Sequence, residues 1–360
     1  PTPKFWIPKF LDKFLPSKIR KWSYIEEKHD FGEFTALYPR VPIKTYTRKA
    51  RFYSSSLVST SWTNVVEESV NVKDFDIILA HHPMLEGFIA MNLKNKYNIP
   101  FITIEHSHDD PFNGNDEYQK NYSEVTSSAD AFVCPSKHVL NSILSKYSVK
   151  NPVVIYNGGA QPIDQFRQFD FNGKIKFISV GALSEYKNYE TLIKAFDDPI
   201  LREKSQLEII GDGPLRKEYE DLIKTLNLQN VIKLSGSISH DWVFKKLDEA
   251  HVFCFISNEN FSVATVEALS RGLPVVISES TGIQEVINDG IQGFVVKDDK
   301  RMDSKYVASI LKKFIVEPSL ISKMSEAALD TSKNLTWVSN AQKVLDLINK
   351  FNRNGGENLK

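Results

Sequence analysis

Residues 251–277 read HVFCFISNENFSVATVEALSRGLPVVI. An apolar run of strand type at 251–256 is followed by a polar loop. A helical stretch at 263–270 comes next, and a β-branched run at 274–277 closes the segment. Ser262 is the right residue type for an N-cap, and Gly272 with Pro274 stops the helix and opens the next strand. Two strands separated by a helix make a βαβ unit, so they run parallel. Both are apolar at nearly every position, which fits a sheet covered on both faces.

The same alternation extends in both directions. Strand candidates lie at 76–80, 101–104, 131–134, 152–155, 176–180, 207–210, 231–234, 251–256, 274–277 and 294–296. Helical patterns fall between most of them, among them 86–96, 137–146, 188–196, 216–226 and 263–270. The strands form two groups. Between them 157–172, NGGAQPIDQFRQFDFN, is rich in Gly, Gln and Asp and poor in aliphatic residues. We therefore expect two Rossmann-like domains, 1–157 and 173–335, with a linker at 158–172 and a C-terminal helix and tail at 336–360. Residues 1–60 hold no clean opening strand, whereas a doubly wound domain begins with its central one. The expectation is a short hydrophobic strand upstream of Pro1.

A length of 360 residues suits two domains. Hydrophobic residues at 41% and charged residues at 25% exclude collagen-like, low-complexity and fully disordered chains. The 45 Lys and Arg balance the 45 Asp and Glu, which argues against nucleic-acid binding through a global basic field. No apolar run reaches the ~18 residues that cross a bilayer, and no secretory signal pattern opens the chain. The reading is cytoplasmic. Cys134 and Cys254 sit in apolar strand-type runs and read as buried free thiols, with disulfide, metal and nucleophile roles as alternatives.

Chemistry-bearing residues gather at the ends of the strand candidates. Glu259 and Glu267 bracket the start of the 263–270 helix. A helix N-terminus presents unpaired N–H groups and partial positive charge, which suits a phosphate or diphosphate. Carboxylates beside it would repel that anion, so they must face neutral hydroxyls, and the combination suits a sugar nucleotide. The alternative is a capped helix with two solvated acids. In 177–196, FISVGALSEYKNYETLIKAF, the strand ends at Gly181 and the next loop carries Lys187, either a phosphate-holding point charge or a surface lysine. In 207–222, LEIIGDGPLRKEYEDL, Gly211 to Pro214 make a tight strand-to-helix turn, a weak signal alone. In 101–110, FITIEHSHDD, the strand ends at His106, followed by His108, Asp109 and Asp110. With His81 and His82 one strand earlier, this could begin a metal site, supply a metal-free catalytic histidine, or be structural. Residues 4–22 set six basic side chains against one acid among interleaved aromatic and aliphatic residues. That suits an anionic membrane surface or a lipid-linked acceptor, or else an amphipathic helix packed on its domain.

Together these segments resemble the retaining glycosyltransferases of family 4, across most of the chain and most strongly at 173–296. The resemblance is carried by Gly181 with Lys187, by IIGDGP at 209–214, by LSGSISHD at 234–241, by Glu259 and Glu267 followed by EALSRGLPVV, and by Glu285-Val-Ile with Gly293. In the first half it is carried by 76–83, His106 and Asn157-Gly158. It implies a GT-B architecture: α/β, two Rossmann-like doubly wound domains facing across a cleft. It implies an enzyme, a hexosyltransferase-type glycosyltransferase. This would move a sugar with retention from a UDP- or GDP-linked donor to a glycan or lipid-linked acceptor, without a metal or cofactor. It further implies that Glu267 accepts from the ribose hydroxyls and Glu259 contacts the transferred sugar. Lys187 and the N–H groups of Phe261, Ser262, Val263 and Ala264 hold the diphosphate. Gly181, Gly211, Gly236 and Ile238 line the donor, and His106 lies near the reacting carbon or a sugar hydroxyl. Catalytic roles thus fall on His106, Lys187 and Glu259. Ala182 stands where relatives have Arg, and Asn260 where they have Gly. The alternatives are a non-catalytic glycosyltransferase-like partner subunit and a metal-dependent hydrolase at His106 and His108. Segment 4–22 leads us to expect a cytoplasmic protein peripheral at the inner face of the membrane, and the charge balance leads us to expect no nucleic-acid partner.

Overall fold

The computed structural model describes residues 56–106, 116–164, 167–259 and 261–351, and the backbone of 5–6, 27–30, 35–38 and 41–42. The chain divides into two compact units. The first comprises Pro1–Cys134, Ser142–Val153 and Leu345–Lys360, and the second Pro135–Asn141 and Val154–Val344. The basic segment 4–22, apart from the backbone of 5–6, lies outside the described residues, as do His108 to Asp110, Asn260 and the tail after 351.

In the first unit, β1 (Phe5–Trp6) pairs in parallel with β4 (Val41–Pro42), and β2 (Glu27–Asp30) pairs antiparallel with β3 (Thr35–Tyr38). The main sheet runs β5 (Ile78–His81), β6 (Phe101–Ile104), β7 (Ala131–Cys134), β8 (Pro152–Val154) in simple sequence order. β6 is parallel to both β5 and β7. Every residue of β6 and β7 is buried, as their largely apolar sequence requires. A π turn at Pro83–Gly87 precedes the helix Phe88–Tyr97, so the helical pattern read from 86 begins as a wider turn.

The second unit holds a six-stranded sheet in the order β11 (Ile232–Gly236), β10 (Ser205–Ile210), β9 (Ile175–Val180), β12 (Val252–Phe255), β13 (Val275–Ser278), β14 (Gly293–Val296). All its pairs are parallel. Neighbouring residues on a strand feed opposite faces. Phe177 and Cys254 join a core with Phe196, Leu311 and Phe314, whereas Ile178 and Phe253 join one with Val266, Leu269 and Ile277. The Val263–Ser270 helix covers the second face, and its residues from Thr265 to Ser270 are all buried. The chain moves outward from β9 through β10 to β11, then returns to the other side of β9 with β12. That reversal opens a crevice beyond the carboxyl ends of β9 and β12.

The described part of 158–172 is fastened to the second unit. The Gly159 N–H donates to the Leu335 carbonyl at 2.7 Å, and the Trp337 N–H donates to the Gly159 carbonyl at 3.1 Å. The Ile163 N–H donates to Ser270 O at 3.0 Å. The half-buried Arg167 guanidinium donates to the carbonyls of Leu247, Asp248 and Ala250 at the end of the His240–Glu249 helix. The C-terminal pattern forms a helix, Trp337–Phe351. Cys134 and Cys254 are buried and free, and burial pushes both thiols up. No helix among the described residues is long and apolar enough to cross a membrane.

Candidate active site

The loops after β9, β10 and β11 are laced together by backbone. The Gly181 N–H donates to Ile210 O, and the Gly211 N–H to Gly236 O, both at 2.9 Å. Gly211 has φ +140°, and a Cβ there would stand 1.9 Å from the Gly181 carbonyl oxygen. Only glycine allows two strand ends to come this close. The glycines of IIGDGP thus set the floor of the crevice.

Lys187 closes the short 3₁₀ turn Glu185–Lys187 that follows β9. Its side chain is only 8% exposed, and its Nζ pairs with Glu259 Oε1 at 2.6 Å. The ammonium also lies 4.8 Å from the centre of the Phe255 ring and 5.4 Å from that of Tyr186. A sheltered cation needs such partners, since burial without them is costly. The two loops are sewn together beside the pair: the Asn258 N–H and the Ser257 hydroxyl both donate to Tyr186 O at 3.1 Å. Lys187 from the β9 loop and Glu259 from the β12 loop therefore meet at the sheet's reversal.

Glu259 leads into the Val263–Ser270 helix, where Ser262 is the N-cap. Its Oγ accepts from the Thr265 N–H at 3.1 Å and from the Thr265 hydroxyl at 2.8 Å. Its carbonyl accepts from Val266 N at 3.3 Å. The N–H groups of Val263 and Ala264 bond to no described residue. Phe261 is buried and stacks on Tyr156, with ring centres 5.8 Å apart. Four residues into the helix, Glu267 is 8% exposed and its Oε1 accepts from His240 Nε2 at 2.7 Å. Glu285, in the later Glu-Val-Ile segment, accepts from the N–H groups of Lys137 and His138 at 2.9 and 2.6 Å and from the Tyr156 hydroxyl at 3.1 Å.

Gly181, Lys187, Gly211, Gly236, Glu259, Ser262, Val263, Ala264 and Glu267 thus all sit at the carboxyl side of one sheet or at the helix that β12 feeds. Ile238 is half-buried and packs on the second core. Sequence reasoning missed His240. Its signal was a histidine opening a helix directly after the GSIS loop, but nothing local says that it reaches Glu267.

His106 belongs to the first unit, in a cluster of its own. His81 Nδ1 lies 2.9 Å from His106 Nε2, the two rings are stacked at 5.2 Å, and His82 meets His106 edge-on at 4.9 Å. Buried Glu105 accepts from the Tyr122 hydroxyl at 2.7 Å and from the His106 backbone N–H at 2.8 Å. Burial, and then neighbouring imidazoles, hold His81 and His106 below the usual histidine range, while Glu105 raises His82. Of the three imidazoles, His82 is thus the one that takes up a proton most readily. Among the described residues, no group of three or more His, Cys, Asp or Glu is arranged to hold a metal ion.

A two-sheet α/β chain with a lysine, an acid pair and a helix start at a sheet reversal is the build of a GT-B glycosyltransferase. Two family models match consecutive parts of it: Glycosyltransferase Family 4 over residues 25–158, and Glycosyl transferases group 1 over 161–330. The chain belongs to the family 4 glycosyltransferases. An uncharacterized glycosyltransferase of Methanocaldococcus jannaschii is 28% identical over 277 residues, 76% of this chain and 74% of that one. The N-acetylgalactosamine-N,N'-diacetylbacillosaminyl-diphospho-undecaprenol 4-alpha-N-acetylgalactosaminyltransferase of Campylobacter jejuni is 32% identical over 177 residues, 48% of this chain and 47% of that one. Among solved structures, Anabaena HepE in complex with UDP matches with a TM-score of 0.68 at 18% identity, covering 82% of this chain and 84% of that one, a likeness of fold.

Proposed function

We propose that this glycosyltransferase is retaining and metal-independent, takes a nucleotide-sugar donor, and builds on a glycan or lipid-linked acceptor. The observation that carries the reading is the Lys187–Glu259 pair at the sheet reversal, beside the N–H groups that open the Val263–Ser270 helix. Breaking the anomeric C–O bond leaves negative charge on a departing nucleoside diphosphate. Lys187 and the N–H groups of Val263 and Ala264 are donors fixed before the reaction, so they favour that charge more in the transition state than in the bound donor. They supply the positive charge a divalent ion would otherwise bring. Glu259 holds Lys187 until the diphosphate arrives and then faces the hydroxyls of the transferred sugar. Glu267 faces the ribose. Ala182 brings no charge to the strand end, which leaves Lys187 as the main cation there.

HepE was solved with UDP, which favours the uridine-linked donor over the guanosine-linked one. The Campylobacter relative is named for a sugar carried on diphospho-undecaprenol, which supports a lipid-linked acceptor. Such an acceptor would place the reaction at the inner membrane face, where the basic, aromatic segment 4–22 suits an anionic surface.

The test is a thermal-shift screen of UDP-, GDP- and ADP-sugars, followed by transfer assays with and without EDTA. One nucleotide class should raise Tm, and transfer should survive EDTA with the anomeric configuration kept. A chain that responds to no nucleotide sugar overturns the reading.

A further inference from the structure

We propose that His240 is a positioning residue for Glu267, and that through it the site selects a ribose carrying both its 2′ and 3′ hydroxyls. The inference rests on the reading of this site as one for a nucleotide sugar.

Glu267 is a nearly buried carboxylate, and among the described residues His240 is its one side-chain partner, Nε2 to Oε1 at 2.7 Å. A carboxylate can only accept, so Nε2 carries the proton. His240 is the first residue of the His240–Glu249 helix, at the end of the loop that leaves β11. Its ring meets Phe244 edge-on at 4.7 Å between centres, and Phe244 packs against the second core. The imidazole is thus braced by its own helix, while Glu267 comes from another helix. The bond ties the element after β11 to the element after β12.

The bond fixes the carboxylate before a ligand arrives. A free glutamate side chain would lose its rotamer freedom on binding, and that cost would be drawn from affinity. With Oε1 anchored, Oε2 and the second lone pair of Oε1 are left, bound to no described side chain. Two adjacent acceptors at a fixed angle match two vicinal hydroxyls, each donating one hydrogen bond. A ligand without those hydroxyls leaves a held, nearly buried charge unsatisfied, and that asymmetry is what gives polar sites their selectivity. Without His240 the carboxylate can turn to a single hydroxyl or to water, and the discrimination falls.

The experiment is calorimetric titration of UDP and GDP, each against its 2′,3′-dideoxy counterpart, into the full chain and into His240→Ala, His240→Gln and Glu267→Gln. The chain should prefer the ribonucleotide of the accepted base by roughly ten- to hundred-fold. In His240→Ala the preference should shrink to about threefold, with donor KM raised and kcat nearly unchanged, and Gln, which can place an amide N–H near the Nε2 position, should restore most of it. His240 is exposed, so equal Tm values for the chain and both His240 variants serve as the folding control. If His240→Ala keeps the full preference, or if the unaltered chain binds both sugars equally, the inference fails while the donor site stands. If the chain binds no nucleotide, both fall together.

Discussion

The two sheets place their reactive side chains by different means. In the second unit the order reverses between β9 and β12, and the loops on either side of the reversal bring in Lys187 and Glu259, far apart in sequence but 2.6 Å apart in space. Among the described residues of the first unit, the main sheet runs β5 to β8 without reversal, and the imidazoles at neighbouring strand ends lean on one another, His81 and His82 on His106. A reversal leaves a crevice across which charges from the two loops pair. Adjacent strand ends instead yield a compact network in which burial lowers two imidazoles and a carboxylate raises the third.

The sharpest break of that comparison lies at Gly211. Gly211→Ala would drive a methyl into the Gly181 carbonyl, so the strand ends must part. Thermal denaturation should show a severe loss of stability and no nucleotide binding. Gly173→Ala, with nothing within 4 Å of the added methyl, should be near neutral. If Gly211→Ala melts like the parent chain, the lacing of strand ends does not build the crevice.

Lys187→Ala comes next. It removes the cation we propose to face the leaving group, and kcat should fall about 10²- to 10³-fold, as when one preorganised donor is removed from an anion site. Steady-state kinetics with the donor found by the thermal-shift screen measures it, and an unchanged kcat would leave Glu259 as the lysine's whole purpose. His106→Ala sharpens the contrast from the other side. Nucleotide affinity by titration should stay as in the parent, while kcat falls by roughly tenfold, within the range of a lost polar contact. A large loss of UDP or GDP affinity would contradict the assignment of donor binding to the second unit alone.

The smallest effect is one of pH. His251 Nδ1 accepts from the Lys176 N–H at 3.1 Å, and the ring meets Phe169 and Phe171 edge-on at 6.0 and 5.9 Å between centres. Burial first, then Lys176 and Arg167, bring it down to about 4. Its folded value is therefore below its unfolded one, the unfolded chain binds the extra proton, and stability is lost as pH falls from about 6.5 toward 4. His251→Asn keeps an acceptor without a titrating ring, so it should flatten that part of the Tm–pH curve. An unchanged curve would place the acid sensitivity elsewhere.

Much of the fold was legible because burial leaves a pattern. The strands at 101–104 and 131–134 and the helix at 263–270 were read at the bounds the structure gives, since fully buried strands are largely apolar runs and a serine cap with a glycine stop marks a helix at both ends. The order of the strands was not legible. Nothing local in LEIIGDGP says that this strand lies between β9 and β11, and the reversal follows from packing over the whole sheet. The site divides the same way. Lys187, Glu259 and Glu267 stood out by residue type at strand ends, whereas the Glu267–His240 bond crosses between two helices and is written in neither. The loop at 158–172 reads as a linker because it is poor in aliphatic residues, and the bonds by which Gly159, Ile163 and the Arg167 guanidinium hold its described part to the second unit are not written in that composition.

The central claim is that Lys187 trades Glu259 for a diphosphate. A crystal structure with UDP or GDP bound tests it directly. The account predicts phosphate oxygens within hydrogen-bond distance of Lys187 Nζ and of the N–H groups of Val263 and Ala264, with ribose hydroxyls on Glu267. A nucleotide bound elsewhere, with Lys187 still on Glu259 and no phosphate beside it, would contradict it.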